Sequence, residues 1–392
     1  MKRRLFLITL LILFISVVAR PVPSFDVTWN GLSTDENSSM PLGNGDISAN
    51  VWTEQNGDVV MLIGKSDSWS ENILLYKVAQ FRISLSPNPF VGEKVTQRLT
   101  ISDARMEVKS PKGTLCIWVD ANSPVVHISA GTVKPSTVSI RNEPWRTVDY
   151  HMTQEQLNQS MFNYWEWRSN PNGIDFLADT ILPATANSIA SCHFNKHSMY
   201  PTVLEREHLG ELINKYHDPI WHRCFGAIVS GDGFVSKDNV VLVSSEPSAL
   251  QQYANITMLT EQTTSTEEWH KDIQQLARQN DTTGNDARQR DAWNAHVAWW
   301  QQFWERSWVH VSGGKLAEQV SEGYAMNRYM TAICGRGQYP IKFNEIPEEE
   351  PVVAASTSVW MMTMRCLGRK IARSCWKTFP IRLSPICALL LM

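Results

Sequence analysis

Five acidic residues, Asp46, Asp67, Glu71, Asp120 and Glu143, fall in short polar stretches between apolar runs. Two carboxyl groups can share general-acid and general-base work when their surroundings push their pKa values apart. Separation along a chain does not fix separation in space, and the same acids suit turn caps and loop hydrogen bonds equally well. No residue is therefore assigned a catalytic role.

The histidines raise a second possibility. His193 and His197 stand four apart, with His217 and His222 nearby, a spacing that on a helix contributes to zinc sites. Their setting, Ser191-Cys192-His193-Phe194-Asn195 with Pro201 close behind, is not that of an HExxH helix, so no metal is expected. The sequence also lacks a P-loop, a GxGxxG fingerprint and a GxSxG elbow, and no cofactor is expected.

The elements that must position these residues are mostly strands. Residues 25–29, 59–63, 81–85, 115–119 and 125–129 are short β-branched or aromatic runs bounded by Gly, Pro, Asn and Asp, and 226–230, 239–244 and 255–259 continue the pattern. Many short strands without interleaved helices predict an antiparallel sandwich. Residues 178–211 carry no clear period and are left unplaced.

At Ser265 the period changes. Ser265 and Glu268 form a capping-box pattern, and Trp269, Ile273 and Leu276 make a helical stripe. In the next helix Trp293, Val297, Trp300 and Trp304 recur at steps of four, three and four, flanked by Trp299 and Phe303. So broad an aromatic ridge predicts a helix that packs against two bodies at once. A third helix carries Leu316, Val320, Tyr324, Met326, Met330 and Ile333, is apolar on most sides and predicts burial between other helices; Gly335 stops it.

Length and charge narrow the class. A chain of 392 residues is long enough for two domains, and a net charge of −3 offers no electrostatic footprint for nucleic acid. Its 16 tryptophans suit both large β cores and surfaces on which sugar rings stack. Lys2, Arg3 and Arg4 precede an apolar run, with Val17 and Ala19 giving the small-residue pattern for cleavage after Ala19. Residues 1–24 read as a signal peptide and the mature chain as secreted or periplasmic. The apolar run is shorter than the ~20 residues a spanning helix needs, so no stable membrane span is expected. Cys116, Cys192, Cys224 and Cys334 lie in apolar or strand-like contexts and read as buried free thiols.

Several stretches together carry a resemblance: Met40-Pro41-Leu42-Gly43-Asn44-Gly45-Asp46-Ile47 with Val51-Trp52, Lys65-Ser66-Asp67-Ser68-Trp69-Ser70-Glu71-Asn72, Trp118-Val119-Asp120-Ala121-Asn122, Phe303-Trp304-Glu305-Arg306-Ser307-Trp308, and Gly335-Arg336-Gly337 with Pro340-Ile341-Lys342-Phe343-Asn344. In this order the chain resembles the bacterial family numbered 5703 among domains of unknown function. That family is similar to the N-terminal sandwich of six-hairpin glycosidases of the α-L-fucosidase type. The resemblance implies a mostly β protein: a β-supersandwich over 25–262, a helical linker over 263–314, and over 315–344 the first helix of an (α/α)6 barrel, the part that carries the catalytic acid and base of glycoside hydrolysis. Twelve helices of about 11 residues need on the order of 200 residues with their loops, and only 78 follow Gly314. From Glu345 the pattern is lost: an acidic run over 345–350 gives way to scattered basic residues without period, and 345–392 reads as an aberrant or disordered tail left by a frameshift or misplaced gene end.

The resemblance also implies binding roles. The glycines of Gly43-Asn44-Gly45 allow close backbone approach, so Asn44 and Asp46 are placed towards the barrel mouth. Trp69 offers a stacking face and Glu71 a partner for sugar hydroxyls, while Arg336, Lys342 and Asn344 line the barrel side. The expected partner is carbohydrate, and the expected function is the N-terminal part of a secreted glycoside hydrolase without activity as this truncated chain. The alternative is a non-catalytic carbohydrate-binding or assembly module.

Overall fold

A computed structural model describes residues 25–159 and 173–336. The expected signal peptide, the tail, Lys342 and Asn344 lie outside the described residues. The first strands are β1 (Val27–Asn30), β2 (Met40–Gly43), β3 (Ile47–Thr53), β4 (Val59–Trp69), β5 (Leu75–Ser86) and β6 (Thr96–Thr100). They are followed by β7 (Arg105–Ser110), β8 (Gly113–Val119), β9 (Val125–Thr132), β10 (Thr137–Asn142), β11 (Tyr150–Met152) and β12 (Ile174–Phe176). The last six are β13 (Thr180–Ile181), β14 (Ser188–Phe194), β15 (Arg223–Ser230), β16 (Phe234–Ser236), β17 (Val241–Ser244) and β18 (Gln252–Gln262).

Among the described residues these strands build two large antiparallel sheets. One runs β1-β6-β7-β8-β9-β18-β15-β14-β13 and the other β16-β17-β10-β5-β4-β3-β2, with β11 and β12 forming a separate pair. The chain is thus a mostly β sandwich, as the sequence predicts. Period-two alternation explains how the sheets face each other: Leu115, Ile117 and Val119 of β8 point inward to meet Val59, Met61 and Ile63 of β4 in one continuous apolar core.

Strand boundaries exceed the sequence reading where composition is polar. The apolar run at 59–63 continues as strand to Trp69, because Gly64-Lys65-Ser66-Asp67-Ser68 follows β5 through register shifts at Gly64. Such bulges re-aim side chains without ending the strand. The unplaced 178–211 region holds β13, β14 and a short helix.

The described helices are α1 (Gln154–Gln159), α2 (Tyr200–Arg206), α3 (Thr266–Gln279), α4 (Asp286–Glu305) and α5 (Lys315–Cys334). Ser265 caps α3, its hydroxyl accepting from Glu268 N–H, while the Glu268 carboxylate reaches back to Thr264 N–H. Trp269, Ile273 and Ala277 bury against Ala190, Cys192 and Ile228 on the outer face of the larger sheet. In α4 Trp300 and Trp304 are buried, the Trp304 indole donating to Ile101 O at 3.2 Å while Trp300 lies against Tyr329 of α5 at 5.6 Å. The ridge therefore contacts both the sandwich and α5.

Helix α5 differs from expectation. Its second half buries Met326, Tyr329, Met330 and Ile333, but Leu316 and Val320 are 49% and 57% exposed. The buried half packs on the edge of the sandwich, the Tyr329 hydroxyl donating to Pro41 O at 2.8 Å. The first turns meet the chain that precedes the helix, Ser321 bonding to Val311, while the Leu316 and Val320 side chains stay open. Gly335 ends the helix, its N–H bonding to Thr331 O. Cys116, Cys192, Cys224 and Cys334 are unpaired, and no described helix is long and apolar enough to cross a membrane.

Candidate functional site

The turn between β2 and β3 docks on the end of α5. Gly45, at φ +85°, donates its N–H to Ile333 O at 3.0 Å. A Cβ on Gly43 would lie 2.5 Å from that same carbonyl, and one on Gly45 would lie 2.1 Å from Arg336 Cβ. Only glycine lets these backbones meet so closely. The two glycines thus fix the sandwich edge against the helix terminus and place Arg336 above the turn.

Asn44 holds the turn rather than presenting an open amide. Its Oδ1 accepts from Asp46 and Ile47 N–H at 3.0 and 2.8 Å, and its Nδ2 donates to Asp120 O and Ser123 O at 2.8 and 3.2 Å. Beside it opens a cleft of about 470 Å³ lined by Asn44, Asp46, Lys65, Asn122, Thr260 and Arg336, with Met258, Leu259 and Leu276 as an apolar wall. The structure therefore brings Asn44, Asp46 and Arg336 together, from sequence separations of nearly three hundred residues.

Three charged side chains face this cleft, the carboxylate of Asp46 and the cations of Lys65 and Arg336. The Lys65 ammonium sits 3.0 Å from Asp46 and 2.8 Å from Asp67, and the Ser66 hydroxyl donates to Asp46 as well. Arg336 stacks on the Trp299 ring at 3.6 Å, and its Nη2 reaches Ala121 O at 3.4 Å. Burial, aided by Arg306, lowers its pKa to about 10, which leaves the guanidinium charged at neutral pH. Arg336 Nε and Thr260 Oγ1 are buried and unbonded among the described residues. A buried donor and a buried hydroxyl in this condition favour a ligand that offers hydrogen-bonding groups.

Trp69 and Glu71 lie elsewhere. Trp69, at the end of β4, is half-buried, and its carbonyl accepts from Asn195. Glu71 is wholly buried and meets His193 Nε2 at 2.7 Å, while His193 Nδ1 meets Asp179 at 3.0 Å and Arg146 meets Asp179 at 2.9 Å. A carboxylate enclosed in this way is out of reach of a sugar hydroxyl. His193 is on a strand, so its spacing from His197 does not set the two rings on one helical face. The network escaped the sequence reading because its members are scattered over 71–193.

The remaining acids are also engaged. Asp120 accepts from Asn122 N–H, the Ser123 hydroxyl and His127, and Glu143 is bonded by Arg82 and Gln80. Asp46 and Asp67 share one ammonium. Each of the five acids noted in the sequence thus has a hydrogen-bond or ion-pair partner within the protein.

Sandwich and docked helix define an antiparallel two-sheet protein with a polar cleft beside the end of α5. The profile of a family described as "Domain of unknown function (DUF5703)", N-terminal part, matches residues 28–309, and the chain belongs to this family. Among solved structures the chain is similar to one described as "Putative kojibiose phosphorylase from human microbiome", at 10% identity and a TM-score of 0.40, over 78% of this chain and 41% of that one. The chain thus spans less than half the length of that protein. No curated protein matches the chain.

Proposed function

We propose that this chain is the N-terminal part of a secreted glycoside hydrolase of the six-hairpin type, and that the cleft beside the Gly43-Asn44-Gly45 turn contributes to sugar binding. The observation that carries this reading is the docking of that turn on the end of α5. It joins polar groups from the sandwich to Arg336 exactly where the resembled architecture passes into its helical barrel. Asp46 accepts from sugar hydroxyls, Arg336 donates to them, and the apolar wall takes the less polar face of the ring. Asn44 acts as a positioning residue. The leader pattern of residues 1–24 supports export.

The engaged state of the five acids favours a second reading, a carbohydrate-binding module without catalysis. Glycan-array binding by the full chain tests the shared part of both readings, with oligosaccharide binding as the expected result and a blank array as the contrary one. Glycoside hydrolysis by a protein translated from the complete downstream reading frame separates them: turnover supports the hydrolase, binding without turnover the module.

A further inference from the structure

A second cleft, of about 240 Å³, opens on the outer face of the larger sheet beneath α4. Its floor follows from strand register. Trp118 pairs with His127, and His127 with Asn255; one row further on, Cys116 pairs with Ser129, and Ser129 with Tyr253. Because alternate residues share a face, both rows point outward, opposite to the core-facing Ile117 and Ile128.

The first row is a chain of matched donors and acceptors. Thr282 Oγ1 donates to the Asn255 amide oxygen at 3.2 Å, the Asn255 amide nitrogen donates to His127 Nδ1 at 3.0 Å, and His127 Nε2 donates to Asp120 at 3.3 Å. Trp118 stacks on His127 at 3.9 Å, so the floor is rigid. Burial pushes the Cys116 thiol up to about 12, which leaves it a protonated, inert part of the lining.

The walls set the ligand chemistry. Arg105 and Arg290 both line the cleft and, among the described residues, no carboxylate does, Glu107 standing one row further along the same face of β7. Arg105 lies over the Trp293 ring at 5.2 Å, pairs with Asp103 only at 3.6 Å, and keeps a buried Nε unbonded. Arg290 is exposed and makes no ion pair among the described residues. Trp293 and Tyr253 are half-buried, giving aromatic surface beside the amides of Asn255 and Gln289. The volume falls below the roughly 300–1,000 Å³ of drug-sized sites, so the occupant is small.

We propose that this cleft binds a single sugar ring bearing one anionic group, the anion held between Arg105 and Arg290 and the ring against Trp293 and Tyr253. A carboxylate at the edge of a hexuronate and the phosphate of a sugar phosphate share this chemistry; a planar guanidinium matches either in a two-point contact. The site is independent of the one beside Asp46 and Arg336.

Calorimetric titration of the full chain with glucuronate, glucose 6-phosphate, glucose and benzoate tests it. Binding of one or both anionic sugars, at least tenfold tighter than glucose or benzoate and tenfold weakened in Arg290→Gln, is expected, and the tighter of the two identifies the anion. Arg290 is exposed, so this variant folds; Arg105→Gln, checked for a native melting curve, serves as the second variant. No binding, glucose or benzoate binding as tight as the anionic sugars, or an undiminished affinity in Arg290→Gln would overturn the assignment.

Discussion

Glu71 and His193 meet at 2.7 Å in a place where neither side chain has any solvent exposure. Asp179 takes the other ring nitrogen and Arg146 balances the charge, so both imidazole nitrogens face carboxylate oxygens and the ring is held as imidazolium. Burial opposes that charge, but attraction to Glu71 and the hydrogen bonds to Asp179 and Glu71 outweigh it and raise the His193 pKa. A raised folded-state pKa gives stability that is complete below the unfolded value near 6.5 and is lost as pH rises through the folded value.

His193→Gln is therefore expected to destabilise the protein by about 3–5 kcal/mol at pH 6, the cost of breaking a buried ion pair. The difference from wild type should shrink as pH rises to 9. Urea midpoints at the two pH values measure it; a difference that grows with pH would reject the imidazolium.

His296 works in the opposite direction. Its Nδ1 accepts from Ala121 N–H at 3.1 Å, so Nε2 carries the proton and donates to Asp103 O at 2.7 Å. Burial lowers its pKa to about 4, against a weaker upward pull from the Asp103 carbonyl. This contribution is complete above the unfolded value near 6.5 and falls away as pH drops towards 4, by up to roughly 3 kcal/mol. His296→Gln should flatten the acid side of the stability profile relative to wild type, and an unchanged slope from pH 6.5 to 4.5 would count against a neutral ring.

Gly45→Ala should loosen α5 from the sandwich. The backbone at φ +85° costs a non-glycine residue about 1–2 kcal/mol, and the added Cβ would collide with Arg336. Limited proteolysis should cut within 315–334 sooner than in wild type, with the sheets retained by circular dichroism. Equal protection of the helix would show that the turn does not hold it.

Trp300→Ala is expected to cost about 3–5 kcal/mol, since a fully buried indole is lost from the contact between α4 and α5. A loss below 1 kcal/mol in chemical denaturation would mean that the ridge is peripheral.

Much of the fold was legible in the sequence. Short β-branched runs gave the strands, Ser265 and Glu268 the start of α3, and the tryptophan spacing the joining role of α4. Strand continuity through Lys65 to Trp69 was not legible, because it depends on pairing with β5 across a bulge rather than on local composition. Exposure of Leu316 and Val320 was hidden for a related reason: helical period shows which residues share a face, not whether anything lies over it. In the candidate site the glycines signalled close approach, and the structure supplies its partner, Ile333 O. Glu71 read as a loop acid available to ligand; its burial became visible only once Asp179 and His193 had been brought beside it.

The most direct measurement is calorimetric titration of an array-selected uncharged glycan into wild type, Arg336→Gln and Arg290→Gln. A sugar-binding cleft at the end of α5 predicts affinity at least tenfold weaker in Arg336→Gln and unchanged in Arg290→Gln. Equal affinity in Arg336→Gln and wild type, or no heat with any glycan, would contradict it.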